Sequence, residues 1–335
     1  MPHRATQLEL QFNYPVRLAL RAAFAVLGLL LAACSGGDEG VYPSKEIRLI
    51  VQASPGGTSD TVSRMMASLA EPELGVPVVC ENKPGASGAL AFSYVVRKPP
   101  DGYTIGHAPV EITTVRSLGF ADVGPEEMTL ICMVSKTSPM LVVREDSPWQ
   151  TLEDFLIAAR AEPGGLIMAN SGTGSIWHFN TLLMEQQADI RVTHLPYPGS
   201  SRALVSLLGG HVDAVVAGVG EGISHVQAGK LRALAVFDTE RSSVLPDTPT
   251  TFELGYQIGA PAWSGFFGPP GMPDAARTKL ADAFENAFQT EAWKNLCRER
   301  GMAPEFLHAD DFRTFALEQS QFFGAEIPKL LTLER

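Results

Sequence analysis

The stretch that decides the fold is IRLIVQASPGGTSDTVSRMMASLA, residues 47–70. Four of its first five residues are apolar, so Ile47 to Val51 are predicted to form a buried strand. Apolar residues then recur at the spacing of one helix face over Thr58 to Ala70; they are Val62, Met65, Met66 and Leu69. The polar, glycine-containing loop Ala53 to Asp60 separates the two patterns. The stretch is therefore predicted to be a strand–loop–helix unit.

The same alternation of β-rich and amphipathic segments continues along the chain. Further strands are predicted at Val76 to Cys80, Tyr103 to His107, Leu166 to Ala169, Val192 to Leu195, Val212 to Val216 and Leu231 to Phe237. Helices are predicted at Gly88 to Lys98, Leu152 to Ala161, Ser175 to Gln187, Ser201 to Leu208 and Ile223 to Ala228, with a helical tail that ends at Pro328. This order favours an α/β protein with parallel sheets and helices on both faces. The long β-rich segment Met128 to Val143 joins two such units, which predicts two lobes and a cleft.

Composition narrows the possible functions. The 335 residues carry a net charge of -11, so a nucleic-acid partner is not expected. Four cysteines are too few for a disulfide scaffold, and Cys80, Cys132 and Cys297 are interpreted as small buried apolar residues. No two histidines have metal-site spacing and no Cys-x-x-Cys motif occurs, so neither a metal nor a cofactor is expected.

Residues 1–33 are predicted to be a targeting signal rather than part of the fold. Arg17 and Arg21 precede the apolar run Ala22 to Ala33, which is too short to span a bilayer of about 30 Å. The run ends in LAAC and closely resembles a lipoprotein signal, which implies that Cys34 becomes the lipid-bearing first residue. An ordinary secretory signal cleaved near Ala33 is the alternative. Residues 34–43 are predicted to be a flexible tether, and the protein is expected in the periplasm, anchored to a bacterial membrane by lipid.

The loops that follow strands are the candidate binding elements, because ligands of open α/β sheets bind at the carboxyl ends of strands. The loop Ala53 to Asp60 precedes a helix that Thr58 or Ser59 could cap, and its free N–H groups would favour an anion. Asp60 could cap the helix or receive a ligand ammonium. The loop Ser171 to His178 repeats this design in the second unit. Neither loop contains a lysine or arginine, so neither has the lysine that a phosphate-binding loop carries.

Enzyme motifs are mostly absent. The sequence has no Gly-x-Ser-x-Gly elbow, and Ile223 breaks the resemblance of Gly218 to Gly222 to a dinucleotide fingerprint. A serine, histidine and aspartate could still meet in space, since a triad is defined by geometry. A hydrolase that uses a serine near His178 therefore remains open, although His178 could equally be a structural side chain. No enzymatic activity is expected.

Several short motifs together resemble the Bug-type (TctC-like) solute receptors of tripartite tricarboxylate transporters. In chain order they are IRLIV (47–51), PGG (55–57), ENKPGASG (81–88), PDGYT (100–104), SGTGS (171–175), PYPG (196–199), LLGGHVD (207–213) and WSGFFGPPGMP (263–273). The resemblance runs from Tyr42 nearly to the end of the chain. It implies a two-lobe clamshell of the type II periplasmic-binding-protein class, with residues 44–138 plus 260–335 in one lobe and 139–259 in the other. The segments near Ser138 to Val143 and Trp263 to Gly268 are expected to form a hinge.

The resemblance also implies a function: capture of a small organic carboxylate and its delivery to integral-membrane permease subunits, by a monomer. The expected ligand-binding residues are Ser54, Gly57, Thr58, Ser59, Asp60, His107, Ser171, Thr173, Gly174, Ser175, His178, Pro198, Gly199, Gly218 and Val219. The carboxylate is expected to be held by backbone amides, hydroxyls and water rather than by an arginine. A receptor that feeds a sensor kinase is the alternative destination. The chain departs from the family pattern at residues 52–54, at Trp177 and at residues 219–221, and Glu221 would disfavour a second ligand carboxylate.

Overall fold

The computed structural model describes residues 42–330. The predicted strand–loop–helix unit is present: Ile47–Val51 forms the first strand and Thr58–Leu74 the first helix, one turn longer than the apolar spacing predicts. Ile47, Leu49 and Val51 are completely buried, and each such side chain contributes about 1.5–3 kcal/mol through removal from water. The proposed signal and tether lie outside the described residues, apart from the last two residues of the tether.

The ends of eleven strands position the candidate site within residues 42–330. In chain order they are β1 Ile47–Val51, β2 Val78–Asn82, β3 Thr104–Pro109, β4 Thr129–Thr137, β5 Pro139–Arg144, β6 Ile167–Asn170, β7 Thr193–Pro196, β8 Ala214–Gly218, β9 Leu231–Val236, β10 Ala262–Gly268 and β11 Met302–His308. The sequence patterns located most of these strands to within two residues, but they gave no signal for β11.

The strands form two sheets. The first sheet has the order β11-β4-β10-β3-β1-β2 and the second sheet the order β7-β6-β8-β5-β9. The prediction of parallel sheets was wrong in part, since both sheets are mixed. β1, β2 and β3 are parallel, but β10 runs antiparallel to β3 and β4; in the second sheet β6, β7 and β8 are parallel and β5 runs antiparallel to β8 and β9. Each sheet thus combines three neighbouring parallel strands with strands of the opposite direction: β10 and β11 in the first sheet and β5 in the second.

The helices connect the strands. They are α1 Thr58–Leu74, α2 Ala89–Val95, α3 Leu152–Ala161, α4 Ile176–Ala188, α5 Ser200–Leu208, α6 Val219–Gln227, α7 Asp274–Gln289, α8 Glu291–Glu299 and α9 Ala309–Leu330. The prediction that Pro328 ends the last helix was wrong, because α9 contains Pro328 and continues to Leu330. No helix within residues 42–330 is both long and apolar enough to cross a bilayer.

The chain passes between the two sheets at two places. β4 leads directly into β5 through Ser138, and the segment between Val236 and Ala262 returns the chain to the first sheet. The Ser138 hydroxyl donates a hydrogen bond of 2.5 Å to Asp238 Oδ2 and so links the two crossing segments. The last helix also packs across the sheets: Phe323 of α9 meets Phe179 of α4 edge to face at 4.8 Å. These contacts hold the loops of the two sheets opposite each other.

Candidate functional site

The carboxyl ends of the parallel strands in both sheets meet around one cavity of about 830 Å³, called the cleft cavity below. Loops after β1, β2 and β3 line it on one side, and loops after β6, β7 and β8 line it on the other. This is the position at which open α/β sheets bind ligands, and the volume suits a small metabolite.

The structure brings together nine of the fifteen predicted site residues in the lining of the cleft cavity. They are Ser54, Gly57, Thr58, Ser59, Ser171, Thr173, Ser175, Pro198 and Gly199. The other six do not belong to this lining; they are Asp60, His107, Gly174, His178, Gly218 and Val219. Six of the nine predicted residues that line the cavity carry a hydroxyl group, as the sequence of the loops suggested.

The start of α1 offers unoccupied donors to the cavity. Its N-cap residue is Gly57, in an extended conformation with φ -77° and ψ 176°, and no side chain caps the helix. The expectation that Thr58 or Ser59 caps α1 was wrong, because both lie inside the helix. Among the hydrogen bonds of residues 42–330, none is donated by the backbone N–H of Thr58 or Ser59. Together with the helix dipole, these groups make a favourable position for an anion.

Asp60 shapes the loop before α1 rather than lining the cavity. It is buried and accepts hydrogen bonds from Gly56 N, Arg64 Nε and Asn82 Nδ2 at 2.8–2.9 Å. Burial raises the pKa of this carboxyl, but the bonds from Arg64, Gly56 and Asn82 outweigh burial, and the pKa lies below its usual value. Asn82 also donates to Ala53 O, so the cluster ties the loop to the end of β2.

His107 acts on the cavity through Gln52. Gln52 Oε1 lies 2.9 Å from His107 Nδ1, and Gln52 Nε2 donates to Ser59 Oγ at 2.9 Å. Burial lowers the pKa of His107 to about 3, so the ring is neutral, and the amide oxygen requires its proton on Nδ1. Ser59 Oγ already accepts a hydrogen bond, which leaves its own proton to donate into the cavity.

The start of α4 differs from that of α1, because two of its first three backbone N–H groups, those of Ile176 and His178, already have acceptors. Ser175 Oγ caps the helix by accepting from His178 N at 3.3 Å. The Glu111 carboxylate, in the 3₁₀ turn Val110–Thr113 after β3, accepts from Ile176 N at 3.3 Å. His178 is buried; its Nδ1 accepts from Gly174 N at 3.2 Å and its ring meets His194 edge to face. The contacts of His178 therefore stabilise the loop.

The start of α5 supplies the second set of unoccupied donors. Its N-cap residue Gly199 has φ +112°, a conformation that favours glycine, and it provides no side-chain cap. Within the described part of the chain, no acceptor takes the backbone N–H of Ser200 or Ser201. Arg202, which is exposed, also lines the cavity. The cavity thus has a cationic side chain that the loops around residues 53–60 and 171–178 lack.

Glu221, in the first turn of α6, reaches across the cavity. Its Oε2 accepts from Gly218 N at 2.9 Å, and its Oε1 accepts from the hydroxyl of Thr58 at 3.4 Å. Burial raises the pKa of Glu221, although bonds from Gly218, Ser200 and Thr58 oppose this effect. Burial likewise raises the pKa of Glu111, and the charge of Glu221 raises it further.

Sequence reasoning missed Glu111, Arg202, Trp263 and Ser264 as lining residues. Glu111 directly follows β3 and could have been found by extending the rule of strand ends to that loop. Trp263 and Ser264 gave no such signal, because they belong to a returning strand. The loop Pro84 to Gly88 also lines the cavity, and Ser87 Oγ donates to Thr173 O across it at 3.1 Å.

The chemistry of this arrangement is that of reversible binding. Backbone N–H groups, hydroxyls, two carboxyls and one guanidinium line the cavity. Within residues 42–330, no three or more histidine, cysteine, aspartate or glutamate side chains are placed to hold a metal ion. The described contacts of Ser175 Oγ and His178 Nδ1 are to backbone N–H groups.

Comparison with known proteins identifies the family. Residues 62–331 match the family described as "TctC: Tripartite tricarboxylate transporter family receptor". The chain belongs to this receptor family. Its curated relatives include the UPF0065 protein in the gbd 5′ region of Cupriavidus necator, which is 31% identical over 95% of this chain and 97% of that protein. Protein BugT of Bordetella pertussis is 29% identical over 89% of this chain and 94% of that protein.

Several solved structures share the fold of this chain. A TctC solute-binding protein from Polaromonas is 28% identical and covers 86% of this chain and 99% of that chain, with a TM-score of 0.70. An R. palustris protein with adipate is 26% identical over 87% of this chain and 97% of that chain, with a TM-score of 0.79. MatC from Rhodopseudomonas palustris with bound malate is 25% identical over 85% of this chain and 99% of that chain, with a TM-score of 0.77. Family and fold are thus those of solute-binding receptors, and two neighbours hold dicarboxylates.

Proposed function

We propose that this protein is an extracytoplasmic receptor that captures a small carboxylate in the cleft cavity and delivers it to a tripartite tricarboxylate-type secondary transporter. The observation that carries the proposal is the pair of uncapped helix starts at the cavity, α1 from the first sheet and α5 from the second. Relatives of the same fold hold malate and adipate. The ligand carboxylate would be bound by the N–H groups of Thr58 and Ser59 and by those of Ser200 and Ser201.

Local donors must overcome the field of the whole protein. The net charge of -11 repels an anion at long range, and loss of residues 1–33 would make it -13. Salt screens this repulsion beyond roughly 8 Å, whereas helix-start donors act at hydrogen-bond distance. The proposal therefore predicts binding that is governed by the geometry of the cavity rather than by steering from a distance.

Closure of two lobes would retain the ligand. The assignment of residues 44–138 plus 260–335 to one lobe and 139–259 to the other is part of the proposal, and it is supported by the division of the strands between the sheets. Hydrogen bonds from Thr58 to Glu221, from Ser87 to Thr173 and from Ile176 to Glu111 join the two sides of the cavity. Hinge motion at the crossing segments would break these bonds and open the cavity.

The protein would act from the outer side of the cytoplasmic membrane, tethered through lipid on Cys34. The LAAC sequence before and at that residue supports this part of the proposal. In cells given labelled palmitate, the full chain should acquire label and sediment with membranes, and the Cys34→Ala variant should do neither. A variant that keeps its label or remains with the membranes would contradict lipidation at Cys34.

A thermal-shift screen tests carboxylate capture. The panel is succinate, malate, glutarate, adipate and benzoate, with succinamide as an uncharged control of matched shape. A ligand at about 100 times its Kd adds roughly 2.7 kcal/mol, which raises the melting temperature by several degrees at about 2–4 °C per kcal/mol. An equal response to succinate and succinamide, or no response to any acid, would contradict the proposal. Sustained release of product from an ester or amide panel would instead favour a hydrolase.

A further inference from the structure

Two glutamates on opposite sides of the cleft cavity distinguish its lining. Glu111 follows β3 of the first sheet, and Glu221 follows β8 of the second. Of the described residues that line the cavity, only these two and Arg202 are of a type that is normally charged at neutral pH. Arg202 is exposed, whereas Glu111 and Glu221 are at most partly accessible. The more enclosed part of the cavity is therefore acidic.

Neither of these partly buried glutamates is paired with a cation. Glu111 accepts hydrogen bonds from the backbone N–H groups of Ile176 and of Glu111 itself, and Glu221 accepts from one backbone N–H and two hydroxyls. Neither makes an ion pair with a lysine, arginine or histidine within residues 42–330; Arg300 lowers the pKa of Glu221, but by less than burial raises it. An ionised carboxylate that is largely removed from water is unfavourable without a cation, so such a group is either protonated or paired with a positive charge, and a cationic group on a ligand would supply that charge.

We infer that the ligand carries a protonated amine as well as its carboxylate, and that Glu111 and Glu221 bind the ammonium while the starts of α1 and α5 bind the carboxylate. This inference rests on the proposed function, because it takes the cleft cavity as the ligand site. Such a zwitterion brings no net charge to the cavity. A dicarboxylate would instead place a second negative charge among two glutamates.

The test is a calorimetric comparison of matched ligands on the full chain. Each pair replaces one carboxylate by an aminomethyl group: succinate against 4-aminobutyrate, glutarate against 5-aminopentanoate and adipate against 6-aminohexanoate. At least one amino acid should bind tenfold or more tightly than its amine-free partner. A dicarboxylate that binds as tightly as every amino acid would overturn the inference and leave the proposed function standing. If no compound with a carboxylate binds, the proposed function fails as well.

Two charge-removing variants assign the preference to these residues. Glu111→Gln and Glu221→Gln keep an oxygen that accepts from Ile176 N and Gly218 N respectively. Each variant should bind the amino acid tenfold or more weakly and should bind the dicarboxylate as tightly as before or more tightly. Misfolding cannot produce this selective loss. The control is Glu318→Gln, an exposed residue of α9, which should change neither Kd. Retention of the amine preference in both cavity variants would overturn the inference, and the comparison on the unmodified chain remains informative even if a variant does not fold.

Discussion

Replacement of Thr58 by proline tests whether a backbone N–H binds the ligand. Thr58 is the first residue of α1, a position that proline favours because no intrahelical acceptor exists for its N–H. The preceding residue, Gly57, already has the extended conformation that a following proline requires. Thr58→Pro therefore removes one donor from the cavity without a change of helix geometry. Because proline also removes the hydroxyl that contacts Glu221, the matched reference is Thr58→Val, which keeps the N–H.

The expected loss follows from the strength of one hydrogen bond to a charged group. Such a bond contributes about 1.5–3 kcal/mol, so Thr58→Pro should bind succinate or adipate roughly 10- to 150-fold more weakly than Thr58→Val. Titration calorimetry measures both values of Kd, and circular dichroism should show equal melting temperatures. Glu291→Pro, at the exposed first position of helix α8, controls for the effect of proline itself. Equal affinity of Thr58→Pro and Thr58→Val would refute the role of this N–H group.

Three further predictions concern the cavity wall and the frame behind it. Thr173→Val removes a hydroxyl from the cavity lining and should weaken carboxylate binding by about 1–3 kcal/mol in calorimetry. Gly220→Ala would place Cβ 2.0 Å from the carbonyl oxygen of Arg300 and should lower the free energy of unfolding by about 1–3 kcal/mol, measured in urea. Its matched control, Gly324→Ala in α9, meets nothing closer than 3.8 Å and should raise stability by up to about 1 kcal/mol. Asp60→Asn should lower the melting temperature at pH 7, and the difference from the unmodified protein should shrink below about pH 4.

The pH dependence at Asp60 follows from the sign of its shift. Because the folded pKa is lowered, the ionised group stabilises the fold above its unfolded pKa of about 3.9, and this stabilisation is lost as the pH falls through the folded pKa. A difference in melting temperature that stays constant between pH 7 and pH 3 would contradict the assignment. An unchanged Kd in Thr173→Val would remove that hydroxyl from the site. Equal effects of the two glycine substitutions would contradict the close approach of α6 to Arg300.

Local sequence patterns predict most of this fold, because each strand–loop–helix unit is encoded within about 25 residues. The strand at Ile47–Val51 and the helix at Leu152–Ala161 have the predicted bounds. The direction of β10 depends instead on a chain crossing from the second sheet, which no local pattern specifies. The edge strand β11, residues 302–308, alternates poorly and contains Pro304, so it lacks the period-2 signal of a strand.

The candidate site is predictable to the level of loops but not of individual atoms. The rule of strand ends correctly places the loops after β1, β6 and β7 at one cavity. The sequence could not reveal that Glu111 accepts from Ile176 N at the start of α4, since the two residues are 65 positions apart. Together with the Ser175 cap, this contact leaves fewer open donors at α4 than at α1 and α5, although the sequence suggested α1 and α4. Long-range contacts decide which of several similar loops remains free to bind.

A crystal structure of the protein with a bound carboxylate tests the central claim most directly. We predict that the carboxylate oxygens lie about 2.7–3.2 Å from the backbone nitrogens of Thr58 and Ser59, and face the start of α5 across the cavity. A carboxylate held by the Arg202 guanidinium alone, or bound outside the cleft cavity, would contradict the claim that peptide N–H groups at the helix starts bind the ligand.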